Sequence, residues 1–344
     1  MAQQSLAVKY RPKCWEDVTE QSVVKDILEN QVQTKTVQSA YLFTGPSGTG
    51  KTTSARIFAS MINDGKGNPI EVDAASNSGV DNIRQIIEDA KRKPLDAEYK
   101  IFIVDECHSL SSESWQALLK TLEEPPKFTI FIFCTTNPEK IPATILSRVQ
   151  RYNFQKISNE GIVDRLNMIL EKESDEIDNL SCKLNWEQDA LEFISKVSSG
   201  GMRDAITLLD KCLSLSHDVT LENVLKTIGA EDYSTFITFL SALEGKEKEI
   251  SIKVVEDVYN AGKDVKQFMK DFAKFVLEVE KYALYKNFDY ISLPNTLENE
   301  LEQLIDDSLF DIMDFVVSLN NQIKWENDSR TLIELSILIY CGKE

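Results

Sequence analysis

Between residues 40 and 154, short apolar runs rich in β-branched and aromatic residues alternate with stretches whose apolar positions recur every three to four residues. Strands buried on both faces read as unbroken apolar runs, so this alternation predicts a parallel sheet covered by helices on both sides. The runs place strands at Tyr41–Thr44, Ile70–Asp73, Ile101–Val104, Thr129–Cys134 and Tyr152–Phe154. Between the third and fourth, Trp115, Leu118, Leu119 and Leu122 fall at i, i+3, i+4 and i+7 of one helix face. Ser111 or Ser112 can cap its start, and Pro125-Pro126 ends it.

After Lys156 the alternation stops and every segment reads as helix. Asn159 to Leu215 resolves into a few helices, one opened by Asn185 as N-cap with Gln188 three residues on, and one interrupted at Gly200-Gly201. Leu221 to Cys341 carries amphipathic patterns such as Phe268, Phe272, Phe275, Val276 and Val279, for which a helical bundle is the economical solution. The 344 residues exceed one ordinary core, and two or three domains are expected. No repeat of fixed period is present.

No segment has the apolar length that spans a bilayer, and Met1 to Arg11 lacks the apolar stretch of a secretory signal. A cytoplasmic chain with no membrane partner is the expectation. Cys14, Cys107, Cys134, Cys182, Cys212 and Cys341 stand singly, so they read as reduced, mostly buried thiols. His108 and His217 are far apart and have no second ligand at metal-binding spacing. The net charge of −18 argues against a nucleic-acid partner until it is located along the chain. Residues 1–157 are electrically balanced, and residues 158–344 carry the whole excess. The front half can therefore still present a basic face, whereas the back half would repel DNA.

The run Gly45-Pro46-Ser47-Gly48-Thr49-Gly50-Lys51-Thr52 satisfies the phosphate-loop pattern, and it sits directly between the predicted strand Tyr41–Thr44 and a helix opening at Thr53. Glycines let backbone N–H groups turn inward, the helix N-terminus favours anions, Lys51 reaches outer phosphates, and Thr52 offers its hydroxyl to Mg²⁺. A chance glycine-rich turn would lack the flanking strand and helix. Ile101–Val104 runs into Asp105-Glu106. At the carboxyl end of a strand, Asp105 can hold Mg²⁺ and Glu106 can orient or deprotonate a water. ATP and Mg²⁺ are the cofactors this pair of motifs calls for.

These motifs, with Lys9-Tyr-Arg-Pro12, Trp15-Glu-Asp-Val18, Val72-Asp-Ala-Ala-Ser76, Asp105-Glu-Cys-His-Ser-Leu110, Ala117-Leu-Leu-Lys-Thr-Leu-Glu-Glu-Pro-Pro126, Ile145-Leu-Ser-Arg148 and Gly201-Met-Arg-Asp-Ala205, resemble the AAA+ clamp-loader ATPases of bacterial DNA polymerase III, of the gamma/tau type. The resemblance covers about the first 215 residues. It implies an α/β P-loop NTPase domain over 1–157, a small helical lid over 158–218 and an all-α collar over 219–344. It also implies ATP-driven loading of a sliding clamp onto primer-template DNA, in a five-subunit ring with other loader subunits. By the same resemblance Tyr10, Arg11, Pro12 and Val18 border adenine and ribose, with Thr53 completing the phosphate site. Thr136, or Thr135 beside it, is the sensor at the strand end. Arg148 is the finger that reaches a neighbour's nucleotide, and Arg203 is the lid sensor. The helix opening at Gly79 would offer its N-terminal amides and Arg84 to DNA, while Lys91-Arg92-Lys93 reads equally as a solvated turn.

Three departures stand out. Val149 follows Arg148 where the family usually has Cys, which leaves the charge of the finger in place. Asn63 to Pro69 is short and without cysteine where many relatives insert a four-cysteine module, so no zinc is expected. The sequence ends after the collar, which suggests a minimal gamma-like form of the kind a phage or reduced genome could carry. Rival readings remain. Asp105-Glu-Cys-His108 also matches a helicase D-E-x-H box, though no second RecA-like domain follows. A stator that no longer hydrolyses ATP and a recombination-associated AAA+ ATPase are the others.

Overall fold

The structure, a computed structural model, describes residues 4–177, 184–228, 231–288, 291–294, 297–304, 309–326 and 328–342. Two compact units divide the chain: Met1–Asn185 with Ser198–His217, and Trp186–Val197 with Asp218–Glu344. The first unit contains helices α1 (Leu6–Lys9), α2 (Ser22–Gln33), α3 (Lys51–Ile62), α4 (Val80–Ala90), α5 (Ser112–Glu123), α6 (Ala143–Leu146) and α7 (Asn159–Ile177). Its strands are β1 (Ala40–Thr44), β2 (Ile70–Asp73), β3 (Lys100–Asp105), β4 (Thr129–Thr135) and β5 (Gln150–Asn153). After α8 (Gln188–Val197) of the second unit, the chain adds α9 (Met202–Leu215) to the first.

The five strands form one parallel sheet in the order β2-β3-β4-β1-β5. All residues of β1 and β4 are buried, which is why both read as unbroken apolar runs. Alternate side chains feed two cores. Tyr41, Phe43, Ile101, Ile103 and Ile132 pack with Leu28 of α2 and Phe58 of α3. Leu42, Phe102, Val104, Phe131 and Phe133 pack with Ile83 of α4, Trp115 and Leu118 of α5 and Ile145 of α6. Each fully buried Phe or Ile contributes roughly 1.5–3 kcal/mol of transfer free energy, so the alternation pins the register of the sheet. β2 lies at an edge and is mostly exposed, consistent with its Glu71 and Asp73.

Because β4 lies between β1 and β3, the ends of these three strands stand side by side, with Thr44 opposite Thr135 and Val104 opposite Phe133. Everything that follows β1, β3 and β4 is thereby brought to one rim. The predicted helix before β4 is α5, and its cap is Ser111, whose Oγ accepts the Ser114 N–H at 3.2 Å.

Several element ends differ from the sequence reading by one or two residues, α3 opening at Lys51 rather than Thr53 and β5 covering Gln150–Asn153 rather than Tyr152–Phe154; one assignment differs in kind. Asn185 is not a helix cap. Its backbone is extended, its N–H donates to the His217 carbonyl at 3.3 Å, and α8 starts only at Gln188. A capping-box pattern is local, and here a backbone partner distant in sequence overrides it.

The second unit is helical over α10 (Leu221–Ile228), α11 (Glu231–Glu244), α12 (Lys248–Asn260), α13 (Val265–Tyr285), α14 (Glu298–Gln303), α15 (Leu309–Ile323) and α16 (Ser329–Gly342). The stripe Phe268, Phe272, Phe275, Val276 and Val279 is the buried face of α13, and Asp264 caps that helix through the Lys266 N–H. Phe239 of α11 meets Phe272 with ring centroids 4.7 Å apart, and Ile312, Val316, Ile333 and Ile337 of α15 and α16 close the core. Among the described cysteines, Cys107, Cys134, Cys212 and Cys341 are buried free thiols and Cys14 is exposed, while Cys182 lies outside the described residues.

Candidate active site

The loop after β1 is shaped by glycines that no other residue could replace without cost. Gly45 has φ +146°, and a Cβ there would stand 2.2 Å from the Phe154 carbonyl oxygen. Gly48 has φ +73°, and its Cβ would stand 2.9 Å from the Gly201 Cα. The loop therefore threads between the backbone after β5 and the start of α9. Gly50 precedes α3 without a side-chain cap, so the N-terminal amides of that helix are not consumed by a capping side chain. Ser47 to Thr53 line an open cleft whose empty volume, open solvent included, is about 1000 Å³.

Lys51 is only 6% exposed. Its Nζ donates to the Gly45 carbonyl at 2.9 Å and the Pro46 carbonyl at 2.7 Å, which aligns it along the loop. Burial pushes its ammonium pKa below the ordinary lysine value, against the pull of Glu106 and Asp105. The Thr49 hydroxyl also donates to the Pro46 carbonyl, at 2.9 Å, and stiffens the same turn.

Thr52, at the start of α3, donates its hydroxyl to Asp105 Oδ2 at 2.8 Å across 53 positions of sequence. A hydroxyl and a carboxylate held together at a phosphate loop are the hard oxygen donors that Mg²⁺ takes, and these two residues fit such an ion. The next residue, Glu106, has φ +47°, in the left-handed region, where a non-glycine residue is uncommon. This bend carries its side chain toward β4. Thr136 Oγ1 donates to Glu106 Oε2 at 3.3 Å. Thr135 is fully buried, and its Oγ1 accepts the Asn137 N–H at 3.0 Å and lies 3.1 Å from His108 Nδ1. Both candidate sensor threonines thus sit at the rim, and Thr136 is the one that touches Glu106.

Tyr10, Arg11, Pro12, Val18, Ser47 to Thr53, Asp105, Glu106 and Arg203 all line the one cleft. Gly45 and Pro46 act from behind it through their carbonyls, and Thr136 acts through Glu106. Arg11 titrates below the usual arginine range, first because it is partly buried and then because Arg56 and Arg203 are near. Of these, Arg11 and Arg203 both line the cleft, and like charges held close are costly alone and suited to an anionic ligand.

Three sequence candidates lie elsewhere. Arg148, just past α6, is bound to Glu123 Oε1 at 2.5 Å and to the Thr144 carbonyl, outside the cleft lining. Gly79 precedes α4 in an ordinary extended conformation with open space around it, and Arg84 pairs with Asp81 at 3.0 Å in solvent. Lys91, at the end of α4, is likewise exposed and paired with Glu88.

Two residues at the site had not been singled out for it. Arg165 of α7 lines the cleft, donates to the Tyr10 carbonyl at 2.9 Å and titrates low because it is buried. Its position in an amphipathic helix carries no signal of this. His108 lies against Glu106 and Thr135, although the sequence places it in a motif with Asp105 and Glu106. Ile157, Met202 and Ile206 supply apolar lining.

Comparison with known proteins places this geometry among relatives. Residues 68–158 match the family described as DNA polymerase III, delta subunit. The chain is 34% identical to DNA polymerase III subunit tau of Bacillus subtilis over 99% of its own length and 64% of that protein. It is also 34% identical to DNA polymerase III subunit gamma of Buchnera aphidicola subsp. Baizongia pistaciae over 74% of its own length and 73% of that protein. It spans 42% to 64% of the tau and gamma/tau relatives with longer chains. Among solved structures, the Thermotoga maritima RuvB Holliday junction branch migration motor matches with a TM-score of 0.51, at 20% identity, over 74% of this chain and 86% of that one. That likeness is one of fold.

Proposed function

We propose, on the premise that the chain belongs to the DNA polymerase III gamma/tau subunit family, that it is an ATP-hydrolysing subunit of a clamp loader, which opens a sliding clamp and places it on primer-template DNA. The observation that carries the hydrolytic part is the meeting of the phosphate loop, Asp105-Glu106 and Arg203 at one cleft. A stator that only holds its neighbours has no need of a carboxylate one residue beyond the metal-binding Asp.

In this reading the loop amides and Lys51 bind the phosphates of ATP, and Tyr10, Arg11, Pro12 and Val18 hold its nucleoside end. Thr52 and Asp105 would hold a Mg²⁺ ion, whose charge offsets that of the phosphate oxygens. Glu106 accepts a proton from the attacking water at its carboxylate, and Thr136 steadies that carboxylate through Oε2. Arg203 brings a positive charge from α9, so the lid helix and the loop respond to the same phosphates. Arg148 acts on the nucleotide of a neighbouring subunit, and its partly exposed place outside this chain's own cleft is consistent with a partner beyond the chain. One nucleotide then biases two subunits, which is the requirement for an ordered switch.

Residues 158–218 serve as the lid and the acidic residues 219–344 as the collar through which a five-subunit ring assembles. DNA would pass along Gly79 and Arg84, in the bacterial cytoplasm. The test is the ATP turnover rate with and without primed DNA and the cognate sliding clamp. Stimulation by the two together is expected, and ATP binding with no stimulated turnover would leave the stator.

A further inference from the structure

Glu106 is approached from two sides, by Thr136 just past β4 and by His108. His108 sits in the turn after β3, and its Nδ1 lies 3.2 Å from Glu106 Oε2 and 3.1 Å from Thr135 Oγ1. The imidazole is 16% exposed and the Glu106 side chain 40% exposed. The hydrogen bond of Nδ1 is with the Thr135 hydroxyl, and Glu106 Oε2 approaches the same nitrogen from the side; an ionised carboxylate can only accept, so this approach favours a hydrogen on Nδ1, shared between the two oxygens. With an unprotonated Nδ1, two lone pairs would face each other. The Thr135 hydroxyl oxygen already accepts the Asn137 N–H at 3.0 Å, which fixes it to the backbone after β4. His108 is thereby anchored between the end of β4 and the carboxylate.

We propose that His108 is a positioning residue for Glu106: held by its Nδ1 hydrogen bond to Thr135, it sets the same nitrogen against Oε2 and keeps the carboxylate in register with the ends of β3 and β4. The need for such a partner follows from the backbone. Glu106 leaves β3 in the left-handed region, so its side chain is not directed by the strand pleat and depends on contacts for its orientation. Thr136 supplies one contact at 3.3 Å and His108 the other. Both contacts fall on Oε2, which leaves Oε1 as the proton acceptor. The inference rests on the reading of Glu106 as the base for ATP hydrolysis.

The test separates Nδ1 from Nε2. His108→Asn keeps an N–H donor near the Nδ1 position, His108→Gln moves it toward the Nε2 position, and His108→Leu removes it. Turnover is measured for the full chain in its loader with primed DNA and clamp, and nucleotide affinity is measured on the same preparations. The Gln and Leu variants should lose about tenfold or more in kcat, with KM and ATP affinity within about twofold of wild type, and the Asn variant should recover most of the loss. Wild-type kcat in the Gln and Leu variants overturns the role. So does an equal loss in all three, or a rise in KM matching the fall in kcat, since those mark a merely structural side chain. If the wild-type loader itself shows no stimulated turnover, the hydrolytic reading fails and this role falls with it.

Discussion

Gly48 of the phosphate loop and Gly201 at the head of α9 touch backbone to backbone, and the Gly48 carbonyl accepts the Met202 N–H at 3.1 Å. The contact leaves no room for a side chain on the loop, and it seats α9, with Arg203 on its first turn, directly on the element that grips phosphate. Gly48→Ala places a Cβ 2.9 Å from the Gly201 Cα at a φ of +73°. The left-handed conformation alone costs an L-residue about 1–2 kcal/mol, and the clash adds to it. Calorimetric titration should show ATP affinity lowered by at least about tenfold, with the far-UV circular dichroism of the fold retained.

Lys51 gives the site a pH dependence with a defined sign. Burial holds its pKa below that of an ordinary lysine, so the cost of burying the charge is fully present below the folded pKa. That cost is relieved as pH rises from the folded pKa toward the unfolded one. Nucleotide binding runs the opposite way, because the phosphates need the charged amine. ATP affinity should be full near neutrality and fall on the alkaline side earlier than for an ordinary lysine. Affinity measured from about pH 7 to about pH 10 checks this against Lys51→Arg, whose guanidinium keeps its charge throughout. The arginine variant should bind roughly tenfold more weakly at neutral pH and lack the alkaline fall.

Arg148 separates the roles a residue plays within its own chain and across an interface. Its pair with Glu123 is partly exposed, and exposed ion pairs contribute about 0–1 kcal/mol. Arg148→Ala should therefore leave unfolding stability within about 1 kcal/mol and the ATP affinity of the isolated chain unchanged. Turnover of the assembled loader should fall by about a thousandfold, the scale of a finger lost in trans. Denaturant unfolding, nucleotide titration and ATPase assay on one preparation give the three readings.

Legibility of the molecule in its sequence follows the range of the forces involved. β1, β3 and β4 were readable because burial on both faces writes itself as an unbroken apolar run, and the phosphate loop because it needs glycine at fixed spacing. Asp105 and Glu106 were readable from the strand before them. Asn185 was misread because a capping pattern does not disclose the His217 carbonyl that its N–H reaches. Arg165 was silent for a similar reason: its partner, the Tyr10 carbonyl, lies 155 positions away. Arg203 and Arg148 look alike as lone arginines, and only resemblance singles them out. The fold then brings Arg203 to the cleft and leaves Arg148 at the surface.

The central claim is that Glu106 performs chemistry on a nucleotide that the loop binds without its help. Its most direct test is Glu106→Gln, with ATP affinity and stimulated ATP turnover measured together in the assembled loader. The variant should bind ATP within about twofold of wild type and lose at least about a hundredfold in turnover, the lower end of what a general base contributes. Undiminished turnover with glutamine at this position would contradict the account.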